Sequence, residues 1–269
     1  MIGAILGDII GSPYEFDRNN IKTTEFPLFC THSQYTDDTV MTVAVAEGLM
    51  NAYGHPDQTE AEIVKSMRHF GRLFPNAGYG SRFGVWLVSR SPKPYGSYGN
   101  GSAMRVSPVA WLYNDLNLVE HFAKISSKVT HNHPEGIKGA QATASAIFMA
   151  RSGKTKSEIR RYLEVTYKYN LSRSLEEIRP GYRHVESCQE SVPEAITAFL
   201  ASDSFEDAIR KAVSLGGDSD TIAAIAGSIA EGCFGIPDDL KEKAKSMLDA
   251  PLLAVVQRWE IFLSGLSKQ

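Results

Sequence analysis

The chain has 269 residues, 43% of them hydrophobic and 22% charged, with 28 basic against 31 acidic side chains and a formal charge of −3. A chain of this size and composition can bury a substantial core without disulfides, which excludes a disordered or fibrous protein. The small negative charge argues against general adhesion to nucleic acid or anionic membrane, and no apolar run reaches the roughly 18 residues of a spanning helix.

In chain order, the opening segment MIGAILGDII is apolar but has no basic start and carries Asp8, so it does not read as a signal peptide. Pro13 ends any first helix by about residue 12 and leaves Glu15 in a loop. Residues 17–35 mix charges, Pro27 and the Thr23-Thr24 pair without periodicity. The segment VMTVAVAEGLM from Val40 is apolar on most sides, as a helix in the middle of a bundle would be. Thr59–Glu62 (TEAE) leads into a stripe of Ile63, Met67 and Phe70. Residues 75–101 hold Pro75, Pro92 and Pro94 with scattered glycines and read as a second irregular stretch. Within it GVWLVS, Gly84–Ser89, is too short to decide between helix and strand.

Thr155–Glu158 (TKSE) is a capping box, followed by Ile159, Tyr162, Leu163 and Thr166 on one helix face. Asp203–Glu206 (DSFE) starts another helix, with Phe205, Ala208, Ile209, Ala212 and Val213 as its buried stripe. TIAAIAGSIAEG from Thr221 is a second small-residue helix, and Leu240, Ala244, Met247 and Leu248 give an amphipathic one after Pro237. With no series of strands, no linker and no repeat, the expectation is one all-α domain over residues 1–269. Cys30, Cys188 and Cys233 are far apart and form no CxxC pair, so neither a disulfide framework nor a zinc site is expected. The expected setting is a reduced, soluble, cytoplasmic one.

Two acidic clusters stand directly before the two small-residue helices. The first is Thr36-Asp37-Asp38-Thr39 and the second is Gly216-Gly217-Asp218-Ser219-Asp220-Thr221. Helix capping explains one such side chain at each place, but not three or four. Two carboxylates ~4 Å apart repel by about 4 kcal/mol at an effective dielectric near 20, and the apolar helices imply partial burial. No Lys or Arg closer than Lys211 is available in the flanking sequence. Oxygen donors without His or Cys select Mg²⁺ or Mn²⁺ rather than zinc, and a pair of such ions would neutralise four carboxylates. The DSDT segment is no haloacid-dehalogenase motif, because Thr221 follows Asp220 immediately and two glycines replace the preceding strand.

Tyr95–Arg105 (YGSYGNGSAMR) is a glycine-rich loop whose backbone can approach an anion or a sugar, with Ser97, Asn100 and Ser102 as candidate hydrogen-bonding side chains. Tyr98 can stack on a base or simply pack. Thr130–Gly136 (THNHPEG) presents His131 and His133, neither with metal-ligand spacing; as anion contacts they would serve best when protonated.

The ordered segments GAILGDIIGSPYEF, TDDT, GSYGNGSAMRV, THNHPEGIKGA and SLGGDSDTIAAIAGSIAEGCFG resemble the ADP-ribosylglycohydrolase family, which includes the dinitrogenase reductase-activating glycohydrolases, over most of the chain. The resemblance implies an all-α orthogonal bundle with a binuclear site of two Mg²⁺ or Mn²⁺ ions. It implies Thr36, Asp37, Asp38, Asp218, Asp220 and Thr221 as metal ligands. Glu15 would be the mobile acidic residue that joins the metals and serves catalysis beside Asp37 and Asp38. Gly96, Ser97, Tyr98, Gly99, Asn100 and Gly101 would hold the diphosphate and distal ribose, with Tyr98 near the adenosine and His131 on a phosphate.

The activity so implied is Mg²⁺- or Mn²⁺-dependent hydrolysis of the C1″ glycosidic bond of ADP-ribose carried by a protein side chain or a small molecule. The loop looks closer to the branch acting on O-linked than on arginine-linked ADP-ribose. The alternatives are phosphoester or pyrophosphate hydrolysis at the same metals, or a non-catalytic ADP-ribose-binding or crystallin-like protein, against which the intact metal positions argue. The expected partner is an ADP-ribose-containing substrate, an ADP-ribosylated protein included, with no nucleic acid and no membrane, and the chain is read as a monomer.

Overall fold

The computed structural model describes residues 1–266, in which fifteen α-helices follow one another with no strand among the described residues. They are α1 (Ile2–Gly11), α2 (Asp37–Asn51), α3 (Thr59–Leu73), α4 (Ser81–Val88), α5 (Gly101–Met104), α6 (Ser107–Leu112), α7 (Leu116–Lys128) and α8 (Pro134–Arg151). The second half adds α9 (Lys156–Tyr167), α10 (Leu175–Ile178), α11 (Cys188–Leu200), α12 (Phe205–Val213), α13 (Ser219–Phe234), α14 (Asp238–Ser246) and α15 (Ala250–Leu266). The all-α expectation holds. No helix among the described residues is long and apolar enough to cross a membrane, and all three cysteines are unpaired.

Local signals set most of the boundaries. The Thr155–Glu158 capping box is formed in full and opens α9. At α12 the cap is Ser204, which accepts from the Asp207 N–H, rather than Asp203. Thr59 lies inside the first turn of α3, behind Gln58, which makes no side-chain cap. The undecided GVWLVS segment is part of α4, because Phe83, Trp86 and Leu87 bury one face of a helix. The stretch 75–101 is therefore interrupted by regular structure, whereas 17–35 is irregular as expected.

The two small-residue helices lie in the interior. The first twelve residues of α13 are all buried, and the helix packs on α1, α8, α11 and α12. α2 packs between α3 and α15. The closest pairing joins α1 to α13. A Cβ added at Gly7 would lie 2.1 Å from the Ala223 carbonyl oxygen, and one at Gly3 would lie 2.3 Å from that of Gly227. Only glycines spaced every four residues let the two backbones approach this closely. On the other faces of α1, Ile5, Leu6 and Ile9 are fully buried, each contributing about 1.5–3 kcal/mol relative to exposure.

Candidate active site

The contact of α1 with α13 fixes Asp8, a buried carboxylate on an otherwise apolar helix, beside the start of α2. Its two oxygens accept from Thr36 (N–H 2.9 Å, Oγ1 2.8 Å) and from both the N–H and Oγ1 of Thr39. These bonds shape the turn that begins α2. Thr36 caps the helix by accepting from the Asp38 N–H, so the capping reading holds for that residue. Asp37 and Asp38 occupy the first turn, where the helix dipole favours negative charge.

At the other helix the capping reading holds for Asp220, whose Oδ1 accepts from the Thr221 N–H at 2.9 Å, but not for Asp218. Asp218 occupies the N-cap position of α13 without a side-chain cap bond, and its Oδ2 instead accepts from Asn100 Nδ2 at 2.6 Å. The two clusters meet: Thr221 Oγ1 donates to Asp38 Oδ2 at 3.1 Å across 183 residues of sequence. Glu15 joins them from the loop after α1, and its carboxylate has ligand atoms within 4.8 Å of those of Asp218 and Asp220. That loop is tied to the second cluster by Phe16 N–H to Gly217 O (2.9 Å) and by Ser219 Oγ to Tyr14 O (2.6 Å). Phe16 is held at φ 68°, a left-handed conformation costing a bulky residue roughly 1–2 kcal/mol. Its ring lies 4.9 Å from that of His184.

Burial dominates the electrostatics here. It pushes the carboxyls of Asp8 up to about 6, Glu15 to about 7 and Asp37 to about 8. The donors on Asp8 oppose the shift there, while neighbouring carboxylates add to it at Glu15 and Asp37. Asp38 and Asp220 are raised well above the usual range by burial and then by adjacent acids, and Asp218 is raised as well. No ion pair among the described residues reaches any of these six acids. Asp38 Oδ1 is buried with no donor at all. A set of oxygen ligands with surplus negative charge, an orphaned carboxylate oxygen and no ion-paired cation fits a hard divalent cation, with Arg82 and Arg105 elsewhere on the cavity wall.

Opposite the acids stands the glycine loop. Asn100 bridges the two, donating to Asp218 and to Ser191 Oγ, while its own N–H goes to Glu186 O (2.7 Å). The Gly96 N–H is used by Asn132 Oδ1 and that of Gly99 by Ser97 Oγ, whereas those of Ser97 and Tyr98 have no partner among the described residues. Ser102 lies behind the loop and donates to Gly136 O at 2.7 Å. Tyr98 is 50% exposed, edge-on to His133 at 5.4 Å. His133 itself caps α8 through Nδ1.

A cavity of about 300 Å³ lies between these walls. Of the residues singled out from sequence, Glu15, Asp37, Asp38, Asp218, Asp220, Thr221, Ser97, Gly99, Asn100, Gly101 and His131 line it. Thr36, Gly96, Tyr98 and Ser102 stand outside the lining and touch it through neighbours. His131 is not the protonated anion contact that would serve best: burial and then Arg105 hold its pKa well below the usual histidine range, so the ring is neutral. Asp8, Arg105, Glu186, Phe16, Phe83 and Tyr95 also belong to the site or its support and were not recognised in the sequence. An acid inside an apolar helix and a lone arginine after the glycine loop were visible signals for two of them; the aromatic residues carried none.

The fold and site define a class: a helical protein whose buried carboxylates, gathered from distant stretches, face a glycine loop across one polar cavity. Residues 1–262 match the ADP-ribosylglycohydrolase family, and the chain belongs to it. It is 26% identical to human ADP-ribosylhydrolase ARH3, over 94% of this chain and 90% of that one. It is 27% identical to the ADP-ribosylarginine hydrolase Tri1 of Pseudomonas putida, over 88% of this chain and 70% of that protein. A solved ADP-ribosylglycohydrolase-related protein complex shares the fold, with a TM-score of 0.68, 20% identity and coverage of 95% and 96% of the two chains.

Proposed function

We propose that this protein, acting as one domain, is a hydrolase that releases ADP-ribose from a modified protein side chain or a small molecule by cleaving the C1″ glycosidic bond. The observation that carries the reading is the meeting of Asp38 with Thr221 and of Glu15 with Asp218 and Asp220 on one wall of a cavity whose other wall is the glycine loop and His131. Relatives named for hydrolysis of ADP-ribosyl groups, one of them for the arginine linkage, support the same class of substrate.

Thr36, Asp37, Asp38, Asp218, Asp220 and Thr221, with Glu15, would hold two Mg²⁺ or Mn²⁺ ions. Ions held by these residues would supply Lewis acidity toward the ribose hydroxyls and a lowered pKa for a water. The free N–H groups of Ser97 and Tyr98 and the ring of His131 bind the diphosphate, and Asn100 couples that loop to Asp218. Tyr98 offers its exposed ring to the adenosine. Cleavage passes through a state with positive charge on the ribose, which the surrounding carboxylates of Asp37 and Asp38 stabilise. Glu15, carried on the loop after α1, holds or accepts the proton exchanged with the leaving group. An O-linked group is the preferred leaving group.

The test is a panel of serine-, arginine- and aspartate-linked ADP-ribosyl peptides with O-acetyl-ADP-ribose, assayed with Mg²⁺, with Mn²⁺ and after chelation. Free ADP-ribose should accumulate without AMP, and chelation should abolish turnover. Release of AMP would instead assign pyrophosphate hydrolysis. ADP-ribose binding without turnover of any member would assign a binding protein.

A further inference from the structure

Two side chains, those of Thr130 and Arg105, bear on which ring nitrogen of His131 carries a proton. His131 Nδ1 lies 2.7 Å from Thr130 Oγ1, and Thr130 Oγ1 lies 2.8 Å from Nη2 of Arg105. A guanidinium has only donors and does not lose its proton in a protein. Toward Arg105, then, the threonine hydroxyl accepts. Its single proton is left for the other neighbour in reach, Nδ1, which accepts with its lone pair. In a neutral imidazole the ring hydrogen then sits on Nε2.

We infer that Thr130 and Arg105 are positioning residues, a fixed donor chain that locks His131 in the Nε2–H tautomer and aims that N–H at the anionic part of the ligand. The aim rests on the proposed ADP-ribose reading; the tautomer does not.

Geometry carries the rest. His131 is 5% exposed, yet Nε2 has no protein partner among the described residues, while the ring lines the cavity. Nε2 thus faces the cavity rather than protein, and a ligand that enters can supply the acceptor its N–H lacks. The backbone holds the ring in place: His131 N–H donates to Ser127 O (2.8 Å), and Ser127 Oγ donates to His131 O (2.9 Å). Two glycines keep Nε2 uncovered. A Cβ on Gly101 would sit 3.3 Å from it and one on Gly99 3.5 Å, so any larger residue at either position would cover the nitrogen. Arg105 is itself buried, lines the same cavity, and makes no ion pair among the described residues; its Nε has no partner. Its charge beside the ring disfavours a second proton on the imidazole, in keeping with a ring that stays neutral.

The experiment reads the tautomer directly. Histidine ring nitrogens of the full-length, ¹⁵N-labelled protein are recorded near neutral pH, with His131 assigned by the loss of its signals in His131→Gln. The wild type should show the Nε2–H form. Thr130→Val keeps the volume but removes the relay hydroxyl; it should give a mixture of tautomers and weaken ADP-ribose binding, measured by calorimetry, about tenfold, the loss expected for one misdirected hydrogen bond to a charged group. Thr130→Ser should restore both. A wild-type ring with its proton on Nδ1, or on both nitrogens, overturns the inference whether or not the valine variant folds. So does a valine variant with unchanged tautomer and affinity. An Nε2–H ring in a protein that does not bind ADP-ribose would leave the relay standing and overturn the functional reading.

Discussion

Asp8 organises the site without lining it. Both of its oxygens are occupied by donors from Thr36 and Thr39, and those bonds set the turn from which Asp37 and Asp38 project. Asp8→Asn puts a donor where an acceptor is needed, so urea unfolding should show a loss of about 1–3 kcal/mol. Turnover at saturating substrate should fall by a larger factor than the stability loss explains, because the first cluster loses its geometry. Glu15→Gln touches the opposite case: the side chain faces the cavity and holds no structural bond, so thermal stability of the chelated protein should not fall, and should rise at about pH 8 where the buried carboxylate is charged, while kcat falls at least about 100-fold, the usual contribution of one acid–base group. A Glu15→Gln enzyme of near wild-type rate would remove Glu15 from the chemistry. The sequence marked Glu15 and the two Asp pairs by their place in motifs. The role of Asp8 does not show there, since its partners lie 28 and 31 residues further along and become neighbours through folding.

At the level of elements, the spacing of glycines decides how closely helices meet. Gly7→Ala places a methyl group 2.1 Å from the Ala223 carbonyl, which rigid backbone cannot accommodate. Destabilisation of about 1–3 kcal/mol or more is expected from denaturant titration, with loss of activity because α1 carries Asp8 away from α2. Gly84→Ala is the counterpart within α4. Nothing lies within 4 Å of its added methyl, so helix propensity alone should stabilise the protein by about 0.5–1 kcal/mol. Capping and amphipathic stripes were legible at this scale, as α9 and α12 show. α4 was not, because eight residues hold too few turns for a period to declare itself.

Across the whole molecule, burial of many acids makes stability depend on pH with a sign opposite to the common one. Asp8, Glu15 and Asp37 titrate near 6, 7 and 8 in the folded chain, above the usual carboxylate range of the unfolded one. Between those ranges the folded state binds more protons, so the free energy of unfolding falls as pH rises. Calorimetry of chelated protein should therefore show Tm decreasing from about pH 5 to about pH 8, with most of the loss complete above the highest of these values. A divalent cation binds only the deprotonated oxygens, so added Mg²⁺ or Mn²⁺ should raise Tm more at about pH 8 than at about pH 5. A chelated protein whose Tm climbs with pH over this interval would show that the acids are not buried together without a counter-ion.

By itself, the sequence determined the helical class, the positions of the acidic and glycine-rich segments and the identity of half of the residues that line the cavity. These are local properties: helix periodicity, capping and loop composition are written within a few residues of one another. The tertiary structure decided which acid supports and which faces the ligand, that Asn100 ties the loop to Asp218, and that His131 is neutral with Arg105 behind it. Those outcomes follow from burial and from contacts between residues far apart in the chain, and no pattern within a single segment encodes how deep a side chain will lie or which charge will face it.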